Sequence, residues 1–516
     1  MTAQATPPTP ASPLLRLNPR DNVVIARVSL DPGPFAELGG AMLTQRLTQG
    51  HKVATDPIRA GEPVLKYGQT IGFASTDIGV GEHVHTHNLA MGDVELRHEF
   101  CVAAEEPDYV APAARATFMG YARASGAIGT RNYIAIVSSV NCSATVSKAV
   151  AAHFSVPGRL DNFPNVDGVI AITHGGGCAI NTKGEGYRLL TRTLAGYATH
   201  SNVGGVIMIG LGCETNQIPA ILAEHGLKEG DTFRSMTIQA TGGTRRTIES
   251  AIAAIEEMLP AVNSIPRSVQ PVSHLKLALE CGGSDGYSGI SANPALGHAS
   301  DLLVRHGGTT CLAETPEIYG AEHLLTRRAA SPAVAQKLLE RIEWWRHYAE
   351  HGDAELNNNP SHGNKAGGLT TILEKSLGAV AKGGMSRLNA VYEYAEPITE
   401  SGFVFMDTPG YDPVAVTGQV AGGCNLICFT TGRGSVSGFK PAPSLKLATN
   451  TSMYERMQED MDIDCGTIVT GDETVEEVGE RIFRLLIDTA SGHRTASELY
   501  NYGDNEFVPW QIGAVM

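Results

Sequence analysis

The sequence has no apolar run that approaches the roughly 20 residues a membrane-spanning helix needs. It also lacks a basic excess, because 39 Lys+Arg stand against 54 Asp+Glu and the formal net charge is −15. A nucleic-acid-binding protein needs a basic face for the phosphates, so this charge disfavours that class. Since only 18% of the residues are charged and 42% are hydrophobic, the composition is that of a folded chain. We expect no membrane partner and no nucleic-acid partner.

Motifs of several common site classes are missing as well. The nine cysteines are scattered and none forms a Cys-x-x-Cys pair, which disfavours a structural zinc and a disulfide framework. No P-loop motif occurs, and Thr215 stands where the third glycine of a dinucleotide fingerprint would follow Gly210 and Gly212. Residues 1–19 show no basic segment followed by an apolar core, so they do not resemble a signal peptide. We expect a cytoplasmic protein with reduced thiols.

The 516 residues predict several domains rather than one core. Residues 20–98 hold short strand-like runs and a repeat, Ile-x-x-Gly-Glu-x-Val, at 58–64 and 78–84, which predicts a small β-rich domain. Residues 99–117 have linker composition. In residues 118–270 and 271–516 strands alternate with helices, which predicts two α/β domains with mainly parallel sheets.

Apolar runs and amphipathic stretches locate the elements of both α/β domains. Strands are predicted at 133–140, 169–173, 206–209, 275–279, 309–313, 403–406 and 426–429. Helices are predicted at 144–154, 245–259, 299–305 and 333–351, and from a capping box at Thr474 and Glu477 through residue 487.

Four cysteines fall at or just beyond the carboxyl ends of predicted strands. They are Cys142, Cys178, Cys213 and Cys281, accompanied by His174, Glu214 and Asp285. Ligands of parallel sheets bind at that edge, and thiolate and imidazole suit a transition metal. A single free cysteine is more often a buried core residue, and we assign that role to Cys101, Cys311, Cys424, Cys428 and Cys465. Four in the same topological position favour a site.

A histidine-rich segment closes the predicted β domain. His83, His85 and His87 alternate along the chain, so in a strand their rings would lie on one face. Neutral imidazole is the commonest metal ligand in proteins, and this spacing favours a metal site over a solvated edge strand.

Glycine-rich loops with a single cation mark the last predicted domain. Lys365 follows Asn364 in one such loop, and Arg433 lies between Gly432 and Gly434 in another. Loops of this composition suit a carboxylate or a phosphate, and their glycine setting makes ordinary surface charge the weaker interpretation.

The chain resembles the altronate/galactarate dehydratase family of sugar-acid hydro-lyases from about residue 20 to its end. The stretches that carry the resemblance are 50–52, 66–68, 81–88, 129–132, 210–214, 281–285, 292–294, 363–368 and 431–434. Residues 81–88 and 317–322 are more similar to the altronate branch. The sequence departs from the family pattern at Gly176, His362 and 434–438, all in predicted site loops.

The resemblance implies a small N-terminal SAF-type (β-clip) domain and two dehydratase α/β domains. It implies loss of water from an aldonic or aldaric acid to give a 2-keto-3-deoxy acid, with Fe(II) as the expected cofactor and Mn(II) or another divalent metal as alternatives. We expect the metal ligands to come from His83, His85, His87, Cys142, Cys178, Cys213 and Cys281. We also expect a homo-oligomer.

The remaining site residues take the roles that the chemistry requires. His174 is the first choice for acid or base, with Glu214 and Asp285 as alternatives. The predicted substrate-binding residues are Arg131, Asn132, Ser284, Asn293, Asn364, Lys365 and Arg433.

Three other functions stay open on the sequence. A sulfo-lyase acting on a sulfonated hydroxy acid such as sulfolactate would share the fold, so release of sulfite would distinguish it. A non-catalytic sugar-acid binding protein would not need two further domains full of titratable loop residues. An iron–sulfur dehydratase would need three or four converging cysteines.

Overall fold

The computed structural model describes residues 12–94, 96–352, 354–513 and 515. The N-terminal part is built from short antiparallel strands. They are β1 (Leu14–Leu15), β2 (Val23–Ala26), β3 (Gly33–Pro34), β4 (Met42–Leu43), β5 (Lys52–Ala54), β6 (Pro63–Lys66), β7 (Gln69–Ala74), β8 (His83–Val84) and β9 (Leu89–Ala90). They form sheets of order β1-β2-β5-β8, β6-β7-β9 and β3-β4.

The sequence repeat forms two equivalent turns that pair with each other. Ile58 and Ile78 bridge in antiparallel fashion, with backbone N–H···O distances of 2.9 and 2.7 Å. In the first copy the Glu62 carboxylate accepts from the Arg59 N–H at 2.9 Å. In the second, Glu82 accepts from the Gly79 N–H at 2.9 Å. The repeated Ile therefore fills the core while the repeated Glu closes its turn.

The second region combines a parallel sheet with a small antiparallel one. Its strands are β10 (Thr117–Ala122), β11 (Ile128–Gly129), β12 (Tyr133–Ser138), β13 (Gly168–Ile172), β14 (Val203–Gly210), β15 (Phe233–Thr237) and β16 (Arg267–Pro271). Its helices are α1 (Ala144–Phe154), α2 (Glu185–Ala198), α3 (Ile218–Glu224), α4 (Ile238–Thr241) and α5 (Thr244–Asn263). The parallel sheet has the order β13-β12-β14-β15, and the antiparallel sheet has the order β11-β10-β16.

The C-terminal region is built on one parallel sheet of seven strands in the order β19-β20-β18-β17-β21-β22-β23. The strands are β17 (Lys276–Cys281), β18 (Thr309–Leu312), β19 (Leu388–Tyr392), β20 (Gly402–Met406), β21 (Leu426–Thr431), β22 (Ser444–Ala448) and β23 (Ile463–Asp464). The helices are α6 (Ala292–Arg305), α7 (His323–Thr326), α8 (Pro332–His351), α9 (His362–Ala366), α10 (Ile372–Ala379), α11 (Asp412–Ala421), α12 (Thr451–Arg456), α13 (Thr467–Thr470), α14 (Val475–Ala490) and α15 (Ala496–Leu499).

The predicted fold class is confirmed: a small β-rich domain precedes two α/β domains with mainly parallel sheets. The predicted capping box is also present, since the Thr474 and Glu477 side chains each accept a backbone N–H of the other. One helix is longer than predicted, because α6 begins at Ala292 and not at residue 299. Pro294 lies in its first turn, where a proline without an N–H is tolerated. No helix in the part of the chain that the structure describes is long and apolar enough to cross a membrane.

His200 joins the second region to the C-terminal one, and it gives the protein an acid-sensitive point. Its Nε2 lies 3.0 Å from the Cys424 carbonyl oxygen, and its Nδ1 accepts from the Asn202 N–H at 3.1 Å. The ring is buried, and burial lowers the pKa of His200 to about 4. An unfolded chain takes up this proton below about pH 6.5, whereas the folded chain does so only near pH 4.

The free energy of unfolding should therefore fall as the pH drops from about 6.5 to about 4, by up to about 3 kcal/mol for this group. We expect His200→Gln, which stays neutral, to lose that part of the pH dependence in denaturant unfolding at pH 7 and pH 4.5. His347→Gln, at an exposed histidine, is the control. An unchanged pH dependence in His200→Gln would show that this ring does not contribute.

Candidate active site

The N-terminal domain packs against loops at the carboxyl edge of the seven-stranded sheet. A Cβ added to Gly286 would lie 2.1 Å from the Gly50 carbonyl oxygen, and one added to Gly368 would lie 2.5 Å from the same atom. Only glycine allows backbones to approach this closely. The Gly50-His51-Lys52 turn therefore packs between two glycine-containing loops of the C-terminal domain. We call this junction of the two domains the crevice.

A buried triad of charged side chains connects the N-terminal domain to the C-terminal domain. The Glu374 carboxylate lies 2.9 Å from Lys52 Nζ and 2.9 Å from Lys66 Nζ, and all three side chains are buried. Lys52 also donates to the Gly368 carbonyl at 2.6 Å, and Thr370 Oγ1 donates to Glu374 at 2.7 Å. Burial raises the pKa of Glu374, but the two ammonium groups outweigh it, so the pKa of this carboxyl lies far below its usual value.

Four histidines of the N-terminal domain gather at the crevice. The His83 ring centroid lies 5.1 Å from that of His51, 5.4 Å from that of His85 and 5.5 Å from that of His87. His51 Nδ1 and His83 Nε2 are 3.0 Å apart. His85 Nε2 lies 2.9 Å from the Lys365 carbonyl oxygen, so this ring contacts α9 of the C-terminal domain.

The imidazoles of His51, His83 and His85 are held neutral. Burial lowers the pKa of His51 to about 4 and that of His83 to about 3, and it lowers the pKa of His85 as well. If His51 donates Nε2–H to the Ala366 carbonyl, 3.3 Å away, its Nδ1 accepts from His83 and leaves His83 Nδ1 as a free acceptor. The crevice thus contains a neutral ring that is able to accept a proton or to bind a cation.

A thiol and two carboxylates form a tight cluster deeper in the C-terminal domain. Cys281 ends β17, and its Sγ lies 3.7 Å from Glu314 Oε2 and 3.6 Å from Glu317 Oε2. Both glutamates follow β18, the neighbouring strand, so strand order brings the three residues together. Their ligand atoms all lie within 4.8 Å of one another, and Glu314 adopts a left-handed φ of 67°. A residue other than glycine in that backbone conformation is strained by about 1 kcal/mol or more, and such residues occur often at functional sites.

Two lysines and a third glutamate complete the cluster. Lys382 Nζ lies 3.0 Å from Cys281 Sγ and 3.1 Å from Glu314 Oε2, and Lys375 Nζ lies 2.7 Å from Glu317 Oε1. Within the described part of the chain, neither oxygen of Glu280 has a hydrogen-bond partner, nor does Glu314 Oε1, although all are buried. Burial raises the pKa of Glu280 well above its ordinary value, and the Glu314 charge raises it further.

This donor set fits a divalent transition metal. Burying carboxylate oxygens without a partner costs free energy, and either a proton or a bound cation would remove that cost. Burial also raises the pKa of the Cys281 thiol, and a coordinated cation would reverse that effect by stabilising the thiolate. Thiolate with carboxylates suits Fe(II), Mn(II) or Zn(II) better than Mg(II).

Several predicted residues lie around this cluster in structural roles. Asp285 is buried and accepts from Thr449 Oγ1 at 2.9 Å and from Asn450 Nδ2 at 3.0 Å. Asn364 Nδ2 donates to the Ser284 carbonyl at 2.8 Å, and Asn293 Oδ1 accepts from Thr430 Oγ1 at 2.6 Å. These contacts hold the loops in place, whereas the buried Ser284 Oγ has no hydrogen-bond partner among the described residues.

Lys365 lies in α9 and Arg433 on the loop after β21, and both segments pack against Asp285. A Cβ at Gly367 would lie 2.9 Å from Asp285 Cβ, and one at Gly432 would lie 2.1 Å from Asp285 Cγ. Neither cationic side chain makes an ion pair within the described residues, and Arg433 is exposed. Two uncompensated cations beside the crevice suit an anionic substrate.

His174 and Glu214 lie in the second region, at the carboxyl edge of the other parallel sheet. His174 Nε2 lies 3.0 Å from the Ser138 carbonyl, its Nδ1 accepts from Gly176 N–H at 3.1 Å, and burial lowers its pKa to about 4. The ring borders a cleft of about 690 Å³ with Phe507 and Trp510. Glu214 accepts from Ser139 Oγ at 2.8 Å and from Gly212 N–H at 2.6 Å. Their predicted acid–base roles stay predictions.

Arg131 and Asn132 lie at the opposite, amino end of β12. Arg131 is buried and binds Glu498 through Nε at 2.6 Å and Nη2 at 2.8 Å. Asn132 Oδ1 accepts from Arg123 at 2.7 Å, and its Nδ2 donates to the Asn165 carbonyl at 2.5 Å. The structure therefore does not bring either residue to the crevice. Arg131 joins the two α/β domains, whereas Asn132 makes its hydrogen bonds within the second region.

The structure divides the predicted metal ligands among three places. His83, His85 and His87 stand at the crevice, and Cys281 lies in the buried cluster. Cys142, Cys178 and Cys213 are exposed in three loops of the second region. Eight ionisable residues at the crevice, in the buried triad and in the Cys281 cluster were not among the predicted site residues: His51, Lys52, Lys66, Glu314, Glu317, Glu374, Lys375 and Lys382. A signal existed for Glu314 and Glu317, which follow a predicted strand at the same carboxyl edge as Cys281.

Family models match nearly the whole chain. The SAF domain of altronate/galactarate dehydratases matches residues 12–92, the second domain of D-galactarate dehydratase/altronate hydrolase matches 120–263, and the C-terminal domain of D-galactarate/altronate dehydratases matches 272–515. Together with the fold and the crevice, these matches define a hydro-lyase of the sugar-acid dehydratase class. The chain belongs to the altronate/galactarate dehydratase family, as its motifs predicted.

Characterised relatives extend over the same length. Altronate dehydratase of Bacillus subtilis (strain 168) is 34% identical over 498 residues, which cover 96% of this chain and 97% of the relative. Galactarate dehydratase (L-threo-forming) of Escherichia coli (strain K12) is 36% identical over 495 residues, with 94% of each chain covered. The beta subunit of (2R)-sulfolactate sulfo-lyase of Chromohalobacter salexigens is 32% identical over 397 residues, 76% of this chain and 96% of the relative.

Proposed function

We propose that this protein removes water from an aldonate such as altronate, or an aldarate such as galactarate, and forms a 2-keto-3-deoxy acid. The observations that carry the proposal are the neutral histidines at the crevice, the two cations beside it that make no ion pair among the described residues, and a buried thiol–carboxylate cluster in the same C-terminal domain. The proposed cofactor is Fe(II), with Mn(II) as the alternative. The nine unpaired cysteines support a reducing, cytoplasmic setting.

The proposed cofactor site is the Cys281–Glu314–Glu317 cluster. An ion held there by these three side chains would supply positive charge to stabilise the enediolate that forms when the proton beside the carboxylate is lost. Lys375 and Lys382 hold protons within the same cluster, in hydrogen bonds to Glu317 and to Cys281. A departing hydroxyl requires a proton donor of this kind.

The crevice residues would bind the substrate and move its proton. Lys365 and Arg433 are placed to hold the carboxylate, and the unpartnered Ser284 Oγ is placed to bind a hydroxyl. His83 is the proposed base, because its ring is neutral and its Nδ1 is free in the tautomer that satisfies the His51 contact. His51 would hold that tautomer, so we treat it as a positioning residue.

A substrate panel tests this function. The protein is purified without oxygen, loaded with Fe(II) and offered aldonates and aldarates that include altronate and galactarate, together with sulfolactate. We expect one or more sugar acids to give a 2-keto-3-deoxy acid, and we expect metal-free protein to give none. Sulfite from sulfolactate without a product from any sugar acid would replace the proposal with a sulfo-lyase. No product from the whole panel would contradict both.

A further inference from the structure

Three of the nine cysteines are exposed, and all three lie at one edge of one sheet. Cys142 follows β12, Cys178 follows β13 and Cys213 follows β14, while Cys101 is half-buried and the other five are buried. Free cysteine is among the most buried residue types. Three solvent-accessible thiols at one carboxyl edge therefore need an explanation, and the dehydration crevice does not use them. We call these residues the thiol triad.

The strand order places the thiol triad on three neighbouring loops. In the order β13-β12-β14 the strand that leads to Cys142 lies between the other two, and all three run in parallel. Because neighbouring strands are about 4.8 Å apart, the outer two are about 10 Å apart where they end. The loops that follow need to bend only a few ångströms to close on one another.

Hydrogen bonds between the loops show that they do close. The Thr215 N–H and Oγ1 donate to the Cys178 carbonyl at 3.0 and 2.8 Å, and the Asn216 N–H donates to the Gly177 carbonyl at 3.1 Å. The Asn141 N–H donates to the Gly176 carbonyl at 2.9 Å. Each cysteine of the thiol triad therefore lies at, or within two residues of, a bond that joins its loop to another.

The loops are also rigid, as a ligand site requires. The Glu214 carboxylate accepts from the Gly212 N–H and from Ser139 Oγ, which fixes the residue after Cys213 to the end of β12. A Cβ at Gly177 would lie 2.4 Å from the Ser139 carbonyl oxygen, so only glycine allows the loop before Cys178 to approach so closely. Gln239 Nε2 donates to Cys213 Sγ at 3.3 Å, a contact of the kind that tunes metal-bound sulfur.

The distance between the thiols favours an iron–sulfur cluster over a site for a single metal ion. A mononuclear zinc or iron site draws its sulfur ligands to about 2.3 Å from one ion, so the ligand atoms lie close together. Among the described residues, the group of three ligand atoms within 4.8 Å of one another is Cys281, Glu314 and Glu317, and the thiol triad does not meet that limit. An iron–sulfur cluster binds each thiolate to a different iron and so accepts sulfurs that are further apart.

We propose that Cys142, Cys178 and Cys213 bind a four-iron, four-sulfide cluster. Each thiol binds as thiolate after its proton passes to solvent, and three protein ligands leave one iron without a cysteine. His174 and Glu214 do not supply a fourth ligand, because both ring nitrogens of His174 and the Glu214 carboxylate already make hydrogen bonds. The site is distinct from the Cys281 cluster, which lies at the edge of the other sheet.

The test measures iron and acid-labile sulfide in the full-length protein. Protein purified without oxygen, and then loaded with ferrous and ferric iron and inorganic sulfide, should be brown. It should contain about four iron atoms and about four sulfides per chain. In each of three variants, Cys142→Ser, Cys178→Ser and Cys213→Ser, the sulfide content and the visible absorbance should fall at least tenfold. Cys101→Ser, at the half-buried cysteine, should lose neither, and Cys281→Ser should keep the sulfide.

Alkylation provides a second measurement that does not depend on colour. The thiol triad should react with iodoacetamide in the cluster-free protein and be protected at least tenfold in the loaded protein, as read by mass spectrometry. Circular dichroism should show that the three serine variants are folded, because the substituted side chains are exposed. Iron without sulfide, zinc in place of iron, or sulfide retained in all three serine variants would each overturn the proposal. These readouts do not require a substrate, so their failure is distinguishable from failure of the proposed dehydration.

Discussion

Replacing Glu374 with glutamine should loosen the N-terminal domain from the C-terminal one and remove most of the activity. The substitution keeps the size of the side chain but leaves the ammonium groups of Lys52 and Lys66 buried without a counter-charge. Breaking a buried ion pair in this way costs about 3–5 kcal/mol. Since Lys52 is adjacent to His51, a loosened domain also misplaces the histidines, and a shift of about 1 Å at a reacting group lowers the rate about 100-fold.

The measurements are thermal unfolding, hydrogen exchange and turnover of the Fe(II)-loaded protein. Faster amide exchange should be confined first to β5 and β6, the strands that carry Lys52 and Lys66. Arg327→Ala is the matched control, because it breaks an exposed pair with Glu99 that is worth less than about 1 kcal/mol. The prediction is wrong if Glu374→Gln melts and turns over like the control variant.

A triple substitution separates the two effects. Lys52→Met, Lys66→Met and Glu374→Leu together replace the charges by apolar side chains of similar volume, which often restores stability to a buried site. We expect the melting temperature to recover and the N-terminal domain to dock again. Recovery of turnover in that variant would show that these charges serve only to hold the domains together.

Elements with a strong local signal could be predicted from the sequence. The apolar runs at β12, β13, β14 and β21 are buried on both faces, so composition alone marks them as parallel strands. The start of α14 was predictable because its capping box is a local pattern. The start of α6 was not, because Asn293 and Pro294 favour turns and are helical here only in the context of tertiary packing.

The candidate site was predictable in part. Strand ends could be found from the sequence, and Cys281 of the buried cluster, Ser284 and Arg433 all lie at or just after such ends. What the sequence does not contain is which strand ends share a sheet, so Cys142, Cys178 and Cys213 were grouped with Cys281 although the two sheets are separate. Lys52 and Glu374 are 322 residues apart in the chain, and their pairing depends on how two domains dock. Long-range contacts of this kind leave no local pattern.

Replacing Glu317 with glutamine should abolish catalysis. It should also lower the melting temperature, because buried Lys375 loses its counter-charge, but the protein should stay folded. The amide keeps the contact that Asn359 Nδ2 makes at 2.6 Å, but it removes one negative charge beside Lys375 and one anionic ligand atom beside Cys281. We expect iron affinity to fall about 10–100-fold and turnover about 1,000-fold, as for the loss of a group that acts on the reacting atoms. Iron is measured after dialysis against a graded chelator, and turnover with a saturating sugar acid.

Glu322→Gln is the matched control for that experiment, since it makes the same substitution five residues further along. Glu322 is buried and pairs with His98 at 3.3 Å, outside the Cys281 cluster. The control should keep iron and turnover within about threefold of the parent, because its charge faces neither the proposed ion nor the crevice. If both variants lose iron and turnover alike, the effect is general destabilisation. If neither does, Cys281, Glu314 and Glu317 are not the cofactor site. Loss in Glu317→Gln alone assigns the chemistry to the edge of the seven-stranded sheet.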